Sequence, residues 1–183
     1  GVIMKKKLAG LLTFVMILSL FTLTSIAEPM QYSEKPTIGT ESSDPNFTSG
    51  FQMKSTLTKD KSSDGQAVDS YTAAADSDHA EILMWKYSFY KRSSTSFYAS
   101  ATTYADEPAD RIAHLIELLR WNGYYWESYS MDYDVGFDID YFFSETDFNV
   151  EKGYYYMITV GHSLSDNGYN EYQHSNSDYL YAG

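Results

Sequence analysis

Four aspartates recur as Asp132-x-Asp134-x-x-x-Asp138-x-Asp140 around Gly136. Carboxylate oxygens at this density are hard ligands of the kind calcium takes, and extracellular calcium sites are often of low affinity, so these four are the candidate metal ligands. The series lacks the positional pattern of an EF-hand, and alternating acids along a strand also arise simply where one face meets water. A second set comprises His162, Glu171 and His174. A turn at Asp166-Asn167-Gly168 would bring them onto neighbouring strands, and imidazole with carboxylate suits zinc, but no His-x-His or His-Glu-x-x-His spacing accompanies them. No other cofactor is implied.

Catalytic patterns are sparse. The chain has no cysteine, no Gly-x-Ser-x-Gly and no phosphate-binding loop. Ser163 follows His162, and a glycosidase-like carboxylate pair can be drawn from Glu117 and Glu127, although any acidic chain supplies such pairs. Binding chemistry is better supplied. Tyr124, Tyr125, Trp126 and Tyr129, with Tyr133 beyond them, crowd one turn, and rigid amphipathic rings of this kind stack on sugars or capture peptides. The expected partner is a cell-wall glycan or a surface protein. A hydrolase working through a carboxylate pair and a purely structural envelope component are the alternatives.

The elements that position these residues begin after a leader. Lys5, Lys6 and Lys7, an apolar run from Leu8 to Phe21, and the small residues Ser25-Ile26-Ala27 have the layout of a secretory signal peptide over residues 1–27, with Gly1 to Ile3 preceding its Met4. The run is short for a membrane span and lacks a basic stop-transfer flank, so cleavage after Ala27, secretion and no residual membrane attachment are expected. Setting those three lysines aside leaves ten basic against 25 acidic residues, a net charge of −15. Such a surface repels nucleic acid and anionic lipid. An exported chain without cysteine must be held by packing, and 18 tyrosines in 183 residues supply the material.

Residues 28–78 are rich in Ser, Thr, Asp, Lys and Gly and poor in large apolar groups, the composition of a flexible linker. From residue 79 to 183 the texture becomes period-two alternation between turn signals. Leu83, Trp85, Tyr87 and Phe89 share one face, as do Phe97, Ala99, Ala101 and Thr103. Asn122-Gly123 between aromatic runs signals a two-residue type I′ hairpin. A strand is expected over Arg111 to Trp121, although Ile112, Leu115, Ile116 and Leu119 also fit helical spacing behind Asp106-Glu107-Pro108. A turn is expected near Val135-Gly136, then a short strand through Ile139, Tyr141 and Phe143. Six or seven such strands predict an all-β fold, an antiparallel β-sandwich of the immunoglobulin or fibronectin III type.

Sandwiches often secure a corner through one tyrosine hydroxyl, and Tyr154, Tyr155 or Tyr156 could serve, following the bend at Phe148-x-Val150-x-x-Gly153. The spacing of Tyr155 after Gly153 resembles the equivalent stretch of fibronectin III domains. Over residues 82 to 181, "LLRWNGYYWESYS" followed by "FNVEKGYYYMITVGHSLSDNGYNEYQ" resembles the core of a family of small secreted proteins of unknown function from Gram-positive bacteria. In that family a QRWNG-x-x-W hairpin precedes VEKGYYYR-x-x-x-x-H and a Gly-rich turn. This chain departs from the pattern at Leu119, where a polar residue is usual, and at Met157, where a basic one is usual. The resemblance implies a β-sandwich and export, and no particular activity.

Overall fold

The computed structural model describes residues 35–54 and 78–183; the expected signal peptide and residues 28–34 and 55–77 of the expected linker lie outside the described residues. The strands are β1 (Phe47–Met53), β2 (Ile82–Ser93), β3 (Ser96–Trp121), β4 (Trp126–Asn149), β5 (Tyr155–Asp166), β6 (Tyr169–Asn176) and β7 (Leu180–Tyr181). All strand pairings are antiparallel, in one seven-stranded sheet that curls as a half-barrel, and no helix occurs among the described residues.

One strand organises everything else. β3 is 26 residues long. Along one edge it pairs with β4 from Ser96 to Trp121; its other edge is shared, with β2 on the stretch from Ser96 to Ala105 and β5 on the stretch from Arg111 to Arg120. The handover falls at the irregularity between Tyr104 and Ala109. Pro108, which has no N–H to give a ladder, sits inside that break and is exposed. The residues expected to separate two strands, or to start a helix, are therefore a bulge within one strand, and the helical alternative for the following stretch is corrected. β4 is likewise continuous where a turn near Val135-Gly136 was expected. A Cβ on Gly136 would lie 2.2 Å from Ile139 Cδ1 and 2.8 Å from Phe142 Cδ2, so the glycine permits close packing beside a kink whose left-handed residue is Asp138, at φ 55°.

The two Asn-Gly pairs behave differently. Asn167-Gly168 joins β5 to β6 with φ of 48° and 83°, the two-residue geometry with both central residues left-handed. Asn122-Gly123 instead opens a four-residue loop, since Trp121 pairs with Trp126 and only Gly123 has positive φ. The hairpin is present, but its expected type I′ turn is not, because Asn122 uses its side chain to cap the loop.

The segment expected to be a linker contributes β1, which pairs with β2 from Phe47 opposite Tyr90 to Met53 opposite Met84. Gly50 lies beneath the buried Tyr87 ring. Residues 40–42 run beside Tyr179, which donates its N–H to the Thr40 carbonyl, while the Ser42 N–H donates to the Tyr179 carbonyl.

Two apolar clusters fill the concave side. The larger joins Phe89, Phe97 and Ala99 to Ile116, Leu118, Tyr156, Ile158 and Val160, so both halves of β3 face the same core. The smaller gathers Ile82, Trp85, Ala109, Ile112 and Leu164. Buried Asp166 fastens the handover region, accepting N–H bonds from Ala80 at 2.9 Å and Asp110 at 3.2 Å. The corner residue is Tyr156: its hydroxyl accepts from the Glu151 N–H and donates to the Glu151 carbonyl, both at 3.1 Å. Two backbone groups at the bend before β5 thus gain partners from one ring.

Candidate functional site

The end of the β3–β4 hairpin is the most elaborated surface feature. Trp121 and Trp126 close its ladder with ring centroids 5.5 Å apart. In the loop, Asn122 Oδ1 accepts the N–H groups of Tyr124 and Tyr125, each at 3.0 Å, a local cap that substitutes for ladder bonds. The loop is thereby fixed with Tyr124 83% and Tyr125 60% exposed. Trp126 is held from the other side: its indole N–H donates to the Ile38 carbonyl at 3.0 Å, and its ring meets Tyr179 at 5.8 Å.

Beside Trp126 opens a cleft of ≈ 440 Å³. Leu119, Met157 and Trp126 give it apolar lining, and Thr159, Asn176 and Asp178 add polar groups. Leu119 and Met157 are direct cross-strand partners on β3 and β5. The cleft was not legible beforehand, because residues 38–40 and 176–178 reach it through contacts remote in sequence.

Tyr129 does not join this group. It is half-buried against Tyr156, with the Arg120 guanidinium 4.9 Å from its ring centroid. Arg120 also binds Glu127 through Nε at 2.9 Å and Nη2 at 2.6 Å, and Glu151 at 3.0 Å. Its hydrogen bond and charge hold the Glu127 carboxyl below the usual carboxylate range, opposite to what a general acid needs. Glu117 lies on the other face of the sheet: Glu127 is paired directly with Arg120, three positions along β3 from Glu117, and the pleat alternates sides. The proposed carboxylate pair cannot flank one bond.

The four aspartates are spread along β4. Asp132 lies opposite Ile116 and Asp134 opposite His114, while Asp138 occupies the kink and Asp140 the irregular stretch beside it. Among the described residues, no three His, Asp or Glu converge into a metal-binding group. His174 pairs with Gly161 and therefore projects from the opposite face to His162; Glu171 accepts the Ile82 N–H at 2.9 Å and meets Lys54 Nζ at 3.3 Å. Ser163 Oγ donates to the Ala113 carbonyl.

The partner that the fold gives His162 is His114, directly opposite on β3. Thr103 Oγ1 lies 2.9 Å from both His114 Nε2 and His162 Nδ1, and His114 Nδ1 is 2.7 Å from Ser144 Oγ. All four residues are buried. They form a polar layer between the two apolar clusters: along β5 the inward order is Val160, His162, Leu164, and along β3 it is Ile116, His114, Ile112. One hydroxyl carries one proton, so Thr103 donates to one imidazole and accepts from the other. His162 Nε2 has no partner among the described residues. Burial lowers the pKa of His114 to about 4, against a small opposing pull from Asp134, and that of His162 to about 3, with His114 and His174 adding to the effect. The layer is thus neutral at pH 7 and has no open path to a substrate. Its sequence signal was a histidine at an inward position of an otherwise apolar alternation, twice.

Compared with known protein-family models and with curated proteins, the chain gives no match.

Proposed function

We propose that this chain is an exported, non-catalytic binding module, a two-layered β-sandwich that holds a glycan in the cleft at the end of its long hairpin. The observation carrying this reading is the ≈ 440 Å³ cleft itself, in which the fixed Trp126 ring and the Leu119–Met157 pair lie beside hydroxyl, amide and carboxylate groups. An apolar face beside convergent polar groups suits a sugar ring, whose two sides differ in the same way, and the volume lies within the usual range for small-ligand sites. Tyr124 and Tyr125, exposed in the loop immediately before Trp126, extend the contact along a chain of sugars. The two-layer reading draws on the larger apolar cluster, which both halves of β3 enter. Export rests on the leader pattern of residues 1–27 and on the resemblance to a family of small secreted proteins.

The test is retention on immobilised cell-wall polysaccharide and peptidoglycan. Retention without bond cleavage, lost in Asn176→Ala with Tyr125→Ala while the thermal melt is unchanged, supports the proposal. Release of soluble fragments, or retention indifferent to those substitutions, overturns it.

A further inference from the structure

The outer edge of β4 is unpaired: among the described residues its only strand partner is β3. Between its two irregularities, Ser130 to Phe137 keep an unbroken register with β3, from Leu118 opposite Ser130 to Arg111 opposite Phe137. Over this run the pleat sorts side chains cleanly. Met131, Tyr133, Val135 and Phe137 stand on the convex side, where Met131 is 62%, Tyr133 57% and Phe137 63% exposed, with Leu115 exposed beside Tyr133. Asp132 and Asp134 stand on the concave side, and neither forms an ion pair with Lys or Arg among the described residues. Asp134 Oδ1 accepts the Val135 N–H at 2.9 Å, so this backbone donor is met by a neighbouring side chain instead of a strand.

A free edge with an apolar row on one side is a template for strand addition. The charge identifies what is added. β4 carries seven Asp and Glu and no Lys, Arg or His. A second copy pairing β4 against β4 would set these carboxylates against themselves, and like charges across strands repel. We infer that the Ser130–Phe137 edge binds an extended cationic peptide of about eight residues, in which apolar side chains alternate with Lys or Arg. Its backbone completes the ladder, its apolar side chains lie along Met131 to Phe137, and its cations meet Asp132 and Asp134. The surface is distinct from the glycan cleft.

The full chain is titrated with a fluorescent octapeptide of alternating lysine and valine, alongside a glutamate–valine version and a lysine–valine version N-methylated on one edge. Expected is saturable binding of the first, none of the second, and loss with the third, which keeps its charge but not its backbone donors. Asp132→Asn with Asp134→Asn is expected to weaken binding about tenfold and to flatten its salt dependence, whereas Tyr124→Ala with Tyr125→Ala leaves it unchanged. No binding at low salt, equal binding of the N-methylated peptide, or sedimentation showing that β4 is occupied by a second copy overturns the inference.

Discussion

His114 and His162 face each other across β3 and β5 with ring centroids 5.1 Å apart and edge to face, bridged by the single hydroxyl of Thr103. Neither ring is charged at neutral pH, because burial favours the uncharged form. The unfolded chain, where histidine titrates near 6.5, binds protons first as pH falls. Stability is therefore complete above about pH 6.5 and is lost progressively toward the folded values of about 4 and about 3. Urea denaturation at pH 7.5 and pH 5.0 should differ by about 4 kcal/mol from the two rings together. Equal midpoints at the two pH values would show that the rings are solvated in the fold.

Thr103→Val tests the bridge. The replacement keeps the shape but leaves two buried imidazole nitrogens without a partner, an expected loss of about 2–3 kcal/mol. Ser144→Ala removes one bond only, for about 1 kcal/mol. Denaturant midpoints that rank the two variants the other way would refute the shared hydroxyl.

Tyr156→Phe should cost about 1–2 kcal/mol, since one hydroxyl serves both the N–H and the carbonyl of Glu151. Tyr155→Phe, in the adjacent position, should change stability by less than about 0.5 kcal/mol. Chemical denaturation of the pair reads the difference directly; equal effects would assign the corner elsewhere.

Two glycines separate rigid from yielding surroundings. A Cβ at Gly136 would collide with the half-buried Ile139 and Phe142, whereas one at Gly161 would meet the exposed ring of Tyr172, which can swing aside. Gly136→Ala should destabilise by about 1–3 kcal/mol and Gly161→Ala by less than about 1 kcal/mol. A melt in which Gly161→Ala is the worse variant contradicts this packing.

Alternation was the legible part of the fold. Phe97, Ala99, Ala101 and Thr103 all point inward as their spacing implies, and so do Tyr156, Ile158 and Val160. On β2, Trp85, Tyr87 and Phe89 are buried as expected, but a register shift between Ile82 and Met84 makes Ile82 the fourth buried residue in place of Leu83. What stayed hidden depends on partners remote in sequence. Asn122-Gly123 and Asn167-Gly168 are the same dipeptide, and only the flanking pairs decide which becomes a two-residue turn. Asp106-Glu107-Pro108 suited a helix start, yet β3 changes partners at that point and asks no N–H of Pro108. At the site, the aromatic crowding was visible, but Tyr125 turns outward in the four-residue loop, while Tyr129 is the unpaired residue at the register shift between Leu118 and Leu119 and packs against Tyr156.

The divided edge of β3 also sets an order of events during synthesis. β2 and β4 reach β3 through short neighbouring turns, whereas β5 must return from beyond β4 before Arg111 to Arg120 acquire their second partner. Until Tyr155 and the residues after it emerge, Ile112, Ile116 and Leu118 have no β5 to cover them, and a half-open ladder of this kind invites intermolecular pairing. A nascent chain stalled before residue 155 is thus the sticky species, and a holding chaperone would be needed most in that interval.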